Sequence, residues 1–390
     1  MRRSETVTVI GGGIGGLTAA IECARAGAHV VLHEAGRELG GRGRSLDGPY
    51  KANHGPHALY TDGPLPNWLK ANDALPPLAR PQFTGARFRV DGNIRRLPRG
   101  LGATAAKLAR SDAPSDVDFR TWASGRVSER SVSAAIGLLS VPTFDPDPGR
   151  LSAAFGANTL RRLILGGTGV RYVRGGWSNL IERLAGAARE QGVEIHTSSF
   201  VSELPATPVI IATARDSAER LLGERLIGGD GTRTALLDVG LKQRPRRMFI
   251  CLGLDEHVWT ARYSAADPSL APEGHDLIQC HSGLRTGETL EQAVARIEAQ
   301  LDAAFEGWRD DESWRRVLMV ENSSGALDLP GTTWRDRPAI DRGDGRFLVG
   351  DWVAAPGLLS EVCLASALEA SAQVTQRPHA IARSGTLAAA

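Results

Sequence analysis

The residues whose types and spacing point most directly to chemistry are Gly11-Gly12-Gly13-Ile14-Gly15-Gly16. Three of these glycines serve separate ends. Gly11 permits a tight turn, Gly13 lets the backbone approach a pyrophosphate, and Gly16 lets helix and strand pack closely. A helix opening here, with Ile14 and Gly15 in its first turn, would present unpaired N–H groups and a partial positive charge to phosphate oxygens. Glu34 follows Gly11 by 23 positions. At the end of a second strand its carboxylate could accept hydrogen bonds from an adenosine ribose. The same acid would repel a 2′-phosphate, which disfavours NADP, while NAD and FAD both stay open on this motif. The bland alternative is a glycine-rich turn beside a surface glutamate, and the strand before and helix after argue against it.

The elements needed to hold these residues are legible around them. Residues 5–10 read as a buried parallel strand, 14–27 as a helix stopped by Gly27, and 28–33 as a second strand, so 5–34 forms one βαβ unit. A helix from Asn179 to Gln191 followed by strands at 193–196 and 209–212 suits the same parallel sheet. Residues 81–160 are rich in Arg, Pro and Asp, with a breaker-rich loop at 142–149 and a short helix near 130–140. Alternating runs at 248–252, 276–280 and 316–320, with a helix near 288–305, predict an antiparallel sheet. A strand at 346–349 and a helix at 358–372 return to the first sheet. The predicted fold class is therefore α/β: a Rossmann-like dinucleotide domain (1–80, 161–230 and 335–377) interleaved with a substrate lobe of antiparallel sheet and helices (81–160 and 231–334). Residues 378–390 read as a loose tail.

Two further segments narrow the reading. Leu39-Gly40-Gly41-Arg42-Gly43-Arg44-Ser45 places a guanidinium, suited to bidentate phosphate binding, between glycines that let a loop lie close. Arg346 to Trp352 runs into Gly350-Asp351, then Gly357 and a small-residue helix. Together with the glycine turn and Glu34, these resemble the flavoprotein superfamily of amine oxidases, protoporphyrinogen oxidases and phytoene desaturases. The resemblance implies non-covalent FAD, with Gly41 and Arg42 along the pyrophosphate and Asp351 on the ribityl chain. It also implies amides near Leu358 and Leu359 at the flavin pyrimidine edge, where a helix dipole would favour negative charge on the reduced ring. Asn53 to Tyr60, including Gly55, Pro56 and His57, resembles the segment under the isoalloxazine, and Val201 matches a position whose backbone holds adenine. Val170 to Trp177 resembles the tyrosine and Gly-Gly segment of the phytoene desaturase-like branch.

A bound flavin carries the redox chemistry, so few catalytic side chains need be visible. His57 is the candidate functional side chain, against the alternative of a structural histidine bonded to a backbone carbonyl. His54 and His57 lack a third ligand at suitable spacing for a metal. Amine oxidation would call for a lysine near the flavin and paired aromatics. Lys242 reads as an exposed strand end, and Trp352 has no evident partner in a chain only 5% aromatic. The expected function is hydride removal from a small or medium-sized, largely apolar molecule, with oxygen, a quinone or another carrier as electron acceptor. An amine oxidase, a non-redox flavin mutase or isomerase, and a binding module on the same fold are the alternatives.

Composition bounds the rest. The 390 residues carry a net charge of +2, which gives no bulk case for nucleic acid or an anionic bilayer, although shallow peripheral contact stays open. Four lysines against 42 arginines, in a chain rich in Ala and Gly, look more like a GC-rich genome than phosphate chemistry. Cys23, Cys251, Cys280 and Cys363 have no CxxC spacing. No apolar run is long enough for a membrane span and no signal-peptide pattern opens the chain, so the expected setting is cytoplasmic.

Overall fold

A computed structural model describes residues 6–61, 63–81, 85–98, 100–165, 169–205, 208–226, 228, 231–245 and 248–375. The proposed loose tail at 378–390 and Glu5 of the predicted first strand lie outside these residues. Thr6–Ile10, a β-branched run, forms the centre of a five-stranded parallel sheet. Its order is Arg346–Leu348, Val209–Ile211, Thr6–Ile10, His29–His33 and Glu194–His196. The helix Ile14–Arg25 packs against both Trp177–Glu190 and the last helix, Ser360–Val374. Val9, Leu17, Leu32, Ile210 and Leu348 are each fully buried between these layers. Such side chains stabilise by about 1.5–3 kcal/mol apiece relative to an exposed state.

The second sheet has seven strands, in the order Glu312–Val320, Thr234–Lys242, His275–Gly283, Val258–Arg262, Ile250–Gly253, Ala86–Val90 and Asn93–Arg95. It is antiparallel except where Ile250–Gly253 runs parallel to Ala86–Val90. The expected antiparallel sheet is present, with one parallel pair: those two strands come from segments about 160 residues apart, so no hairpin dictates their direction. Leu290–Ala304 covers one face, opened by a capping box between Thr289 and Gln292. Leu101–Arg110, Phe119–Ser124, Glu129–Thr143 and Ala153–Leu165 bundle around Phe119, Trp122, Ile136 and Leu160. The last of these helices runs through position 160, where the sequence reading had placed a boundary. A small sheet of Leu59–Tyr60, Val170–Val173 and Leu78–Ala79 lies between bundle and sheets.

A buried polar chain ties the lobes together. Arg316 donates from Nε to Asp238 Oδ2 at 2.7 Å and from Nη2 to the Asn53 carbonyl at 2.5 Å. Gln279 Nε2 bridges Asp238 Oδ1 and the same carbonyl at 3.0 and 3.1 Å. Asn53 Oδ1 accepts from Ser45 Oγ and from the Trp177 amide, at 2.8 and 3.0 Å. Among the described residues, no helix is long and apolar enough to cross a membrane.

Candidate functional site

The glycine turn is held in place by packing on one side and left open on the other. Gly11 adopts φ +106°, which disfavours any residue with a Cβ, and a Cβ there would lie 2.5 Å from the Ala212 carbonyl. A Cβ on Gly16 would sit 1.9 Å from the Gly11 carbonyl, so this glycine faces the strand and does not line the cleft. Gly13 is different: only the Gly40 carbonyl, at 4.0 Å, comes near its Cβ position. Gly13 is also the N-cap of the helix, and no side chain caps that terminus. The first-turn amides therefore face the cleft beside Ile14 and Gly15 with no side-chain acceptor of their own. Glu34 fixes the turn against the second strand, accepting from the amides of Gly12 and Gly36 at 2.7 Å each. Its carboxylate lines the cleft and has lone pairs to spare.

Arg42 and Asp351, 309 residues apart, meet here. The Arg42 Nη2 donates to Asp351 Oδ1 at 2.5 Å, while Nη1 donates to the carbonyls of Asn322 and Ser323 at 2.5 and 3.3 Å. The sequence reading places this guanidinium along a pyrophosphate. Here a protein carboxylate and two carbonyls orient it, and the carboxylate raises its pKa further. Asp351 is 4% exposed and also accepts from the Gly325 amide at 3.2 Å. Gly41, with φ +52°, has open space above it.

The C-terminal helix begins two residues later than expected. Leu359 is its N-cap at φ 54°, and the helix proper starts at Ser360. Leu359 lines the cleft. The Leu358 amide donates to Glu361 Oε2 at 3.2 Å, and its residue lines a small neighbouring cavity. Of the two amides expected near a flavin edge, that of Leu358 is taken by Glu361 in the helix's first turn. Glu361 in turn receives both Arg162 nitrogens at 2.6 and 2.7 Å, which anchors the helical bundle to this helix.

Pro56, His57 and Val201 line the same cleft, whereas Gly55, with φ +151°, lies behind the His57 ring. His57 Nε2 lies 2.8 Å from the Arg42 carbonyl, which can only accept, so that nitrogen carries the proton. Its ring packs at 4.6 Å on Trp177. Burial pushes its pKa down to about 4, against the upward pull of its hydrogen bond to the Arg42 carbonyl. The folded pKa lies below the ordinary 6.5, so the unfolded chain takes the proton first as pH falls. The site's contribution is complete above pH 6.5 and is lost progressively down to about pH 4. His57→Gln should therefore flatten the fall of the thermal midpoint across that window relative to the parent. An equally steep fall would show that the protons go elsewhere.

One cleft of about 1010 Å³ joins Gly13, Glu34, Arg42, His57, Val201, Asp351 and Leu359 and continues into the second lobe. That volume is at the upper end for small-molecule sites, with room for a large cofactor and a further molecule. The far wall includes Tyr60, Phe88, Phe144, Tyr172, Trp259 and Tyr263. Tyr172 and Tyr263 stack at 4.4 Å with rings 19° apart, and Tyr263 Oη lies 3.5 Å from the His57 carbonyl. Sequence reasoning missed these aromatics and the Asn322–Ser323 loop. Tyr172 stood in a segment already singled out, but nothing local announced that a 3-10 turn about 90 residues on would stack Tyr263 against it.

Residues 9–74 match the model of an NAD(P)-binding Rossmann-like domain. No curated protein matches the sequence. Among solved structures, an oxidoreductase from Methanosarcina mazei shares 19% identity with a TM-score of 0.76, over 93% of this chain and 99% of that one. Cyclohexylamine oxidase from Brevibacterium oxydans shares 15% identity with a TM-score of 0.70, over 96% and 99% of the two chains. A reduced UDP-galactopyranose mutase shares 14% with a TM-score of 0.70, over 96% of each. The chain thus has an NAD(P)-binding Rossmann-like domain and shares its overall fold with solved structures that include cyclohexylamine oxidase and UDP-galactopyranose mutase.

Proposed function

We propose that this chain is an FAD-dependent oxidoreductase that dehydrogenates a small or medium-sized, largely apolar molecule, in the manner of the phytoene desaturase-like branch. The observation that carries the reading is the continuity of the cleft: the uncapped helix terminus at Gly13, Glu34 and the Arg42–Asp351 pair share one cavity with an aromatic wall from the second lobe. In this reading residues 1–80, 161–230 and 335–377 form the cofactor domain, 81–160 and 231–334 supply the substrate wall, and the protein works in the cytoplasm. Bound FAD would supply a two-electron acceptor at its N5.

The chain's own residues do the placing. The amides after Gly13 and the Arg42 guanidinium would hold pyrophosphate, Glu34 the adenosine ribose, Val201 the adenine, and Asp351 the ribityl hydroxyls. His57, neutral and fixed on the Arg42 carbonyl, stiffens the segment between cofactor loop and substrate wall. The surrounding aromatic side chains exclude water from the reacting carbon. Amine oxidation is the second reading, supported by the similarity to cyclohexylamine oxidase. Against it, none of the described lining residues is a lysine, and Lys242 sits at the exposed end of its strand. Mutase chemistry, without net oxidation, is the third.

Purified protein should show the visible flavin absorption band, alone or after incubation with FAD. Glu34→Ala and Arg42→Ala should each weaken FAD retention by about ten- to a hundredfold, the loss of a charge-assisted hydrogen bond or two. Arg110→Ala, on an exposed helix end, should leave it unchanged. Equal flavin content in all three would sink the assignment. Anaerobic bleaching of the flavin by a substrate separates dehydrogenation from mutase chemistry.

A further inference from the structure

The far wall of the cleft differs from the near wall in charge and in hydrogen-bonding sense. Every charged lining residue belongs to positions 34, 42, 215–220 or 321–351, around the nucleotide-binding half. The wall built from the helical bundle, the small sheet and the strands Ala86–Val90, Ile250–Gly253 and Val258–Arg262 has none among the described residues. A cationic or anionic group placed there would lose its water without gaining a counter-charge.

The polar groups of that wall are donors. Tyr263 Oη donates to the His57 carbonyl at 3.5 Å, and its ring stacks on Tyr172, which also lines the cleft. The one proton of Tyr263 is spent on that carbonyl, which leaves the Tyr172 O–H to donate into the cleft. Burial holds both phenols well above the ordinary pKa, so both stay protonated. The Trp259 indole N–H, on the same wall, is buried without an acceptor among the described residues. A site of stacked rings and unmatched donors is complemented by a flat apolar molecule that brings its own acceptor.

Resting on the oxidoreductase reading for its reaction, we propose that the substrate is a neutral, rigid, carbocyclic ketone or enone, and that Tyr172 binds its carbonyl oxygen. Tyr172 is then a substrate-binding residue that sets specificity, and Tyr263 positions it from behind.

Three probes of one shape test this: α-tetralone, tetralin without the oxygen, and 1-aminotetralin as the cation. Binding is measured by equilibrium dialysis on flavin-loaded protein, with flavin content read in the same sample. The expected result is that α-tetralone binds at least fivefold more tightly than either other probe. Tyr172→Phe should erase that advantage and leave tetralin unchanged. Equal binding of ketone and hydrocarbon, tightest binding of the amine, or an advantage that survives Tyr172→Phe would each overturn the proposal. Should Tyr172→Phe fail to fold, the ranking in the parent protein decides alone. Flavin-replete protein with no ketone preference overturns only this inference. Protein that takes up no flavin yet prefers the ketone overturns only the oxidoreductase reading.

Discussion

Asp238→Ala is expected to lower the stability of the protein by about 3–5 kcal/mol, because it strands a buried guanidinium. Asp238 is 1% exposed, and its partner Arg316 lies on the neighbouring strand with only a tenth of its side chain accessible. The pair spans the register between Thr234–Lys242 and Glu312–Val320, so the carboxylate's removal leaves Arg316 with the Asn53 carbonyl alone. Asn53 in turn receives the Trp177 amide, at the start of a helix of the parallel sheet. Damage at Asp238 should therefore pass to the junction between lobes. Asp238→Asn should cost less, since one acceptor survives, and the double change Asp238→Leu with Arg316→Met should recover part of the loss. Denaturant titration of the four proteins measures the series. A deficit under about 1 kcal/mol for Asp238→Ala would show that the network is not a structural tie.

The second large effect separates two glycines only three residues apart. Gly16→Val should cost about 3 kcal/mol and abolish flavin retention as well, because its Cβ would stand 1.9 Å from the Gly11 carbonyl. Backbone on both sides of that contact belongs to the central strand and its helix, so neither can yield cheaply. The Cβ of Gly13→Val would meet only the Gly40 carbonyl, at 4.0 Å, so the change should alter stability by less than about 0.5 kcal/mol while the flavin is lost. Flavin per chain and thermal midpoint, measured together, distinguish the two outcomes. If Gly13→Val kept its flavin, the turn would not be the phosphate site.

These glycines were readable because their roles are local: strand, turn and helix are consecutive, and the period of the apolar residues reports them. Glu34 and Arg42 were readable for the same reason. The pairing of Arg42 with Asp351 was not, since each residue sits in its own motif and only the folded sheet brings them to 2.5 Å. The strand Thr234–Lys242 was seen only at its exposed end. Its Thr-Ala-Leu-Leu-Asp-Val-Gly run is buried on both faces and has no alternation to betray it, and a buried acid at its centre disguises it further. The Glu312–Val320 strand alternates along its whole length because only one of its faces is covered, and part of it was found. Tyr172 lies in a strand and Tyr263 in the short 3-10 turn after another, so no spacing rule relates them.

The order of strands in the parallel sheet also has a bearing on how the chain is made. Thr6–Ile10 leaves the ribosome early, yet one of its two neighbours is Val209–Ile211, and that strand waits for Arg346–Leu348. The nascent βαβ unit therefore carries two bare sheet edges, one until Glu194–His196 is made and the other until Val209–Ile211 follows. Cooperative folding can finish only after translation has delivered the last strand, so chains released early should be prey to chaperone capture or aggregation.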